Sequence, residues 1–92
     1  MSESSNGTVS RTVVLPVGVD LHARPAGQLV RAAAAQGVSI VLRSNGREAD
    51  AASILQVLAL GATGGTAVVV EARGEAAEQA ADAIAALLAS LA

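Results

Sequence analysis

The sequence predicts an α+β fold: one four-stranded, mainly antiparallel sheet with three helices on one face, in the order βαββαβα. Three observations predict it. Stretches rich in Val, Ile and Thr alternate with Ala- and Leu-rich stretches of helical spacing. An Asn-Gly pair at 45–46 sits between two strand-forming runs and marks a tight hairpin. The 92 residues contain no Phe, Tyr, Trp or Cys, so the core must be built from Val, Leu, Ile and Ala packed between two layers.

The first strand is "TVSRTVVLP" (8–16), which is β-branched and stops at Pro16. "VGVDLH" follows as a loop bending at Gly18. "ARPAGQLVRAAAAQG" (23–37) is the first helix. Pro25 lies in its first turn, where a missing N–H costs nothing, and Gly37 stops it. Ala26, Leu29, Val30 and Ala33 form its buried face. "VSIVLRSNGREAD" (38–50) gives the hairpin, because a type I′ turn needs positive φ at both central residues. "AASILQVLALG" (51–61) is a short helix with Ser53 as its cap and Gly61 as its stop. "GGTAVVVEARG" (64–74) is the fourth strand. "EAAEQAADAIAALLASLA" (75–92) closes the chain as an amphipathic helix, with Ala80, Ile84, Leu87, Leu88 and Leu91 on one face. Its acidic residues Glu75, Glu78 and Asp82 lie in the first half, where the helix dipole favours negative charge.

One domain over residues 9–92 follows from the length, and the polar, acidic start (1–8) reads as a disordered tail. That start has neither a basic n-region nor an apolar h-region, and no run of 18 apolar residues occurs, so a cytoplasmic protein is expected. A net charge of −2 without aromatic side chains argues against nucleic-acid binding. The lack of cysteine excludes a disulfide scaffold, a thiolate metal site and a thiol nucleophile. A single histidine without a nearby acidic cluster argues against zinc, and no cofactor is expected.

Chemistry therefore concentrates in "VDLHARPAG" (19–27), which holds that histidine, His22. A neutral imidazole offers a ring nitrogen as nucleophile near pH 7. His22 immediately precedes a helix whose free N–H groups suit an anion such as phosphate. Arg24 supplies a guanidinium matched to phosphoryl oxygens, and Pro25 fixes the first turn before any partner arrives. On residue types alone, a solvated loop histidine beside a solvated arginine stands as the alternative.

"LHARPAGQLVRAA" resembles the active-site segment of the HPr family, the histidine phosphocarriers of the bacterial phosphoenolpyruvate-dependent sugar phosphotransferase system. The second half, "SNGREADAASILQVLALGATGGTAVVVEARGE", resembles the same family, so the likeness runs over roughly residues 9–91. It implies an open-faced β-sandwich of βαββαβα order and a monomeric phosphoryl carrier rather than an enzyme. By this likeness, His22 is phosphorylated at Nδ1 by phospho-enzyme I, with Arg24 as its phosphate-stabilising partner, and passes the group to enzyme IIA. Ser53 falls where relatives carry a regulatory serine, and a helix cap is its purely structural reading. Docking is expected on Ala23, Gly27, Gln28 and Arg31 of the first helix and on Ile54, Leu55 and Leu58 of the second. "SILQVLAL" holds too many large apolar residues for one buried stripe, and Leu55 and Leu58 are the members expected outside.

The sequence departs from the family pattern at several positions. Asp20 stands where glycine is usual; two residues from His22, it would pair with Arg24 or repel a phosphate. Ala52 replaces a common basic residue before Ser53, and Ala34 and Gln56 are uncharged, which shifts docking toward apolar contact. Two other function classes stay open at this point. One is a catalytically silent interaction module, against which the retained histidine argues. The other is a small enzyme with His22 as general base, for which no nucleophile and no phosphate-binding loop is present.

Overall fold

The computed structural model describes residues 7–91. The tail expected at 1–8 thus lies, up to residue 6, outside the described residues, and Thr8 already belongs to a strand. The elements are β1 (Thr8–Val14), α1 (Ala23–Gln36), β2 (Ser39–Ser44), β3 (Arg47–Asp50), α2 (Ile54–Leu60), β4 (Ala67–Arg73) and α3 (Ala77–Ala89). This is the expected order. The sheet runs β1-β4-β2-β3, and all three pairings are antiparallel.

Element ends differ from the sequence reading wherever backbone groups find partners outside the element. Leu15 is not counted in β1, yet its N–H donates to the Thr66 carbonyl (3.0 Å) and its own carbonyl accepts from Gly65 (2.8 Å). Those bonds engage Gly65 and Thr66, the Asp20 carboxylate engages Gly64 N–H, and β4 begins at Ala67 rather than at 64. Similarly, Ala51 N–H donates to Ile40 O and Ala52 N–H to the Asp50 carboxylate, which keeps residues 51–53 out of α2. Asn45 and Gly46 both adopt positive φ (57° and 73°), as the hairpin turn requires.

Alternation along the strands buries one face. Val68, Val70 and Ala72 of β4 stand in register with Ile40 and Leu42 of β2 and with Val9, Arg11 and Val13 of β1. α3 packs over β1 and β4, α2 over β3 and β2, and α1 against both other helices. Leu15, Leu29, Leu42, Val57, Ile84 and Leu88 are the largest side chains sealed between the layers, together with Val68 and Val70. On α1 the buried set is Pro25, Ala26, Leu29 and Ala33, while Val30, expected inside, is half-buried. On α3 Leu87 is likewise half-buried, whereas Ala77 and Ala81 are fully inside.

Arg11 is the polar exception on the helix-facing side of β1. Its guanidinium reaches Asp82 (2.7 Å) and Glu78 (3.7 Å) on α3 and joins the edge strand to the helix above it. The acidic start of α3 thus has a tertiary partner besides its own dipole. On the open face, Arg43 bridges Glu71 (2.6 Å) and Glu48 (2.7 Å) across three strands. The hydrogen bond and charge of Glu71, assisted by Glu48, raise the Arg43 pKa above its ordinary value.

Candidate functional site

Two loops from distant parts of the sequence build the site. Residues 15–21 lie against residues 62–66, joined by Leu15 N–H to Thr66 O, Gly65 N–H to Leu15 O and Leu21 N–H to Ala62 O (2.9 Å). Leu15 and Leu21 are buried beneath them and fasten the loop to the core. Gly64 is indispensable to this contact. A Cβ there would lie 2.6 Å from Gly18 N, 2.6 Å from Pro16 O and 2.9 Å from Val19 N, all of them backbone atoms.

His22 emerges from this support as the N-cap of α1, with extended backbone (φ −115°, ψ −160°) and an exposed side chain. Its N–H donates to the Asp20 carbonyl (2.9 Å), and its carbonyl accepts from Ala26 (2.8 Å), the first bond of the helix. The imidazole makes no capping hydrogen bond. Pro25 has no N–H, so Ala23 and Arg24 offer the amides that the helix leaves without intrahelical acceptors. Gly18, Asp20, His22, Arg24 and Gln28 border one shallow depression, with the buried Pro25 also lining it. The arrangement provides an exposed imidazole, amide donors at the positive end of a helix, and Arg24 on the border of the same depression. Together these suit a bound or transferred phosphoryl group.

Asp20 does not pair with Arg24. Its carboxylate accepts the Gly64 N–H at 2.8 Å, adding a side-chain bond to the contact between the loops. The ion pairs among the described residues involve Arg11 and Arg43, and none involves Arg24 or Arg31 of α1.

Ser53 is the N-cap of α2, half-buried, and its hydroxyl accepts the Gln56 N–H at 3.3 Å. The Gln56 side chain reaches past Ser53 and accepts the Asp50 N–H (2.8 Å), so the reciprocal half of a capping box is displaced toward β3. α2 buries Val57 and Leu60 and exposes Leu55 (77%), with Ile54 and Leu58 at 39% and 40%. α1, packed against α2, exposes Ala23, Gln28 and Arg31 and half-buries Gly27. The sequence reading missed Val17, which is 90% exposed at the tip of the 16–19 turn. It also missed the steric role of Gly64, for which the Gly64-Gly65 pair was the available signal. No cluster of metal-ligating side chains occurs among the described residues, and no helix among them is long and apolar enough to cross a membrane.

Known proteins are similar to this chain in sequence and in backbone. The family model described as "PTS HPr component phosphorylation site" matches residues 9–90. The phosphocarrier protein HPr of Streptomyces coelicolor is 47% identical over 70 residues, covering 75% of each chain. That of Haemophilus influenzae is 35% identical over 82 residues, covering 89% of this chain and 96% of its own. The crystal structure of HPr from Bacillus anthracis superposes with a TM-score of 0.83 at 28% identity, over 88% of this chain and 96% of that one. Motif, length and backbone agree from the first strand to the last helix, and the chain belongs to the HPr phosphocarrier family.

Proposed function

We propose that this chain carries a phosphoryl group on His22 within the phosphotransferase system, taking it from phospho-enzyme I and giving it to an enzyme IIA. Nδ1 of His22 attacks the phosphorus of the donor phosphohistidine. The new N–P bond forms as the donor's N–P bond breaks, and that bond's electron pair returns to the donor ring. The same exchange with His22 as donor completes the relay, so the chain turns over no small molecule by itself. Ala23 and Arg24 amides and the Arg24 guanidinium face the charge of the phosphorylated state. The observation that carries the reading is the exposed His22 imidazole at the start of α1, bordering one depression with Arg24.

Docking falls to the exposed Ala23, Gln28 and Arg31 of α1, with the half-buried Gly27 between them, and to Ile54, Leu55 and Leu58 of α2. Ser53 is a modification candidate beside them. A phosphate there would offer its own oxygens to the amide that the hydroxyl now caps, and would place negative charge next to the apolar docking residues. The chain acts as a monomeric domain spanning 9–92, in the cytoplasm with its partners.

Intact mass after incubation with enzyme I, Mg²⁺ and phosphoenolpyruvate tests the reading. The expected result is one added phosphate, acid-labile and base-stable, that is absent in His22→Ala. No phosphate on a folded chain, with an enzyme I active on another carrier, overturns it in favour of a silent interaction module.

A further inference from the structure

We propose that Asp20 is a positioning residue for phosphoryl transfer at His22, tying the His22 loop to residues 62–66 and raising the transfer potential of the phosphorylated ring. The proposal rests on the carrier reading above. The tie is the 2.8 Å bond from Gly64 N–H to the Asp20 carboxylate, made from a glycine that can approach this closely because it lacks a Cβ. The connection to the reacting residue is short: the Asp20 carbonyl accepts the His22 N–H, and Leu21 between them bonds to Ala62. A carboxylate engaged in a charge-assisted bond is fixed in place. A glycine at this position, usual in the resembling family, has no side chain to make it.

Asp20 and His22 border the same depression, and the carboxylate, held by Gly64 N–H, has no cation partner among the described ion pairs, so its charge lies in the neighbourhood of a phosphoryl dianion on His22. Like charges in one site oppose each other, while the helix N-terminus and Arg24 act the other way. The carboxylate therefore offsets part of that stabilisation and favours passing the group on. A partly solvated charge of this kind alters an equilibrium by roughly two- to tenfold.

Asp20→Asn and Asp20→Ala in the full chain separate tie from charge. Asn retains an oxygen that accepts from Gly64 and loses the charge; Ala loses both. Hydrogen exchange at the Gly64 amide reads the tie. The phosphorylated fraction at a fixed phosphoenolpyruvate-to-pyruvate ratio, with enzyme I catalytic, reads the potential. Asp20→Asn is expected to keep Gly64 protection within about twofold and to raise the phosphorylated-to-free ratio by roughly two- to tenfold. Asp20→Ala is expected to raise the same ratio and to lose Gly64 protection by about tenfold or more. Unchanged ratios in both variants, in a native chain that is phosphorylated, overturn the role in transfer whatever the exchange shows. Gly64 protection that survives Asp20→Ala overturns the tie. A native chain that gains no phosphate overturns the carrier reading and this proposal together, which sets that failure apart from the other two.

Discussion

At the scale of single residues, two glycines near the site carry opposite predictions. A Cβ at Gly64 would lie 2.6 Å from the Gly18 nitrogen and the Pro16 oxygen, and a backbone cannot rotate away as a side-chain tip does. Gly64→Ala therefore forces the 16–19 loop off the 62–66 loop. The expected loss is about 1–3 kcal/mol, as for other overpacked sites. Urea unfolding checks it as a lower midpoint at unchanged slope. Phosphate uptake by His22 should slow as well, since Asp20 and Leu21 lose their partners together. Gly27 lies inside α1, and a Cβ there meets only the Arg31 guanidinium at 3.6 Å, which is ordinary contact. Gly27→Ala should stabilise the chain by about 0.5–1 kcal/mol through helix propensity. An unfolding midpoint that falls in Gly27→Ala, or fails to move in Gly64→Ala, would contradict the packing described.

At the scale of elements, α2 divides its apolar residues between two tasks, and variants can tell them apart. Leu60 is 2% exposed and Leu55 is 77% exposed, five positions apart in one short helix. Leu60→Ala should cost about 2–5 kcal/mol of stability. Leu55→Ala should stay within about 0.5 kcal/mol, as surface changes do. Affinity for enzyme I, measured by titration calorimetry, should instead fall about tenfold in Leu55→Ala, a loss of about 1.4 kcal/mol. If Leu55→Ala binds as the native chain does, the exposed face of α2 is not a docking surface. The cap gives a third contrast. Ser53→Ala removes the acceptor for Gln56 N–H and should cost about 0.5–2 kcal/mol, whereas Ser53→Asp restores an acceptor and most of that stability.

At the scale of the whole molecule, the parts legible in the sequence are those set by local chemistry. Asn45-Gly46, Pro25, Gly37, Ser53 and Gly61 mark turns, starts and stops through backbone preferences that act over a few residues, and the structure bears each of them out. The surplus of apolar residues in "SILQVLAL" likewise pointed to Leu55 and Leu58 as outside members, and both are exposed, but Ile54, not singled out for the outside, is as exposed as Leu58. What stayed hidden depends on the contact between residues 15–21 and 62–66. The end of β1, the late start of β4 and the direction of the Asp20 carboxylate follow from partners more than forty residues away, and no local pattern encodes them; the demand for glycine at 64 has the same origin, with only the Gly64-Gly65 pair as a local signal.

Charge is distributed on the same large scale and yields the last prediction. The chain carries −2 in all. α1 holds Arg24 and Arg31 with no acid, giving +2, and α2 holds no charge. The remainder is therefore −4, the difference between −2 and +2. A partner with an acidic docking surface would be repelled by the molecule as a whole and attracted by this one face, so that charge orients the encounter more than it speeds it. Salt should then matter little. Between about 0.1 M and 1 M, where the Debye length falls from about 10 Å to about 3 Å, association with enzyme I is expected to slow by less than tenfold in stopped flow. Leu55→Ala should raise the dissociation rate by a similar factor at both ends of that range, because apolar contact is not screened. A far steeper salt dependence, with dissociation unaffected by Leu55→Ala, would move the binding energy from the apolar face of α2 to the two arginines of α1.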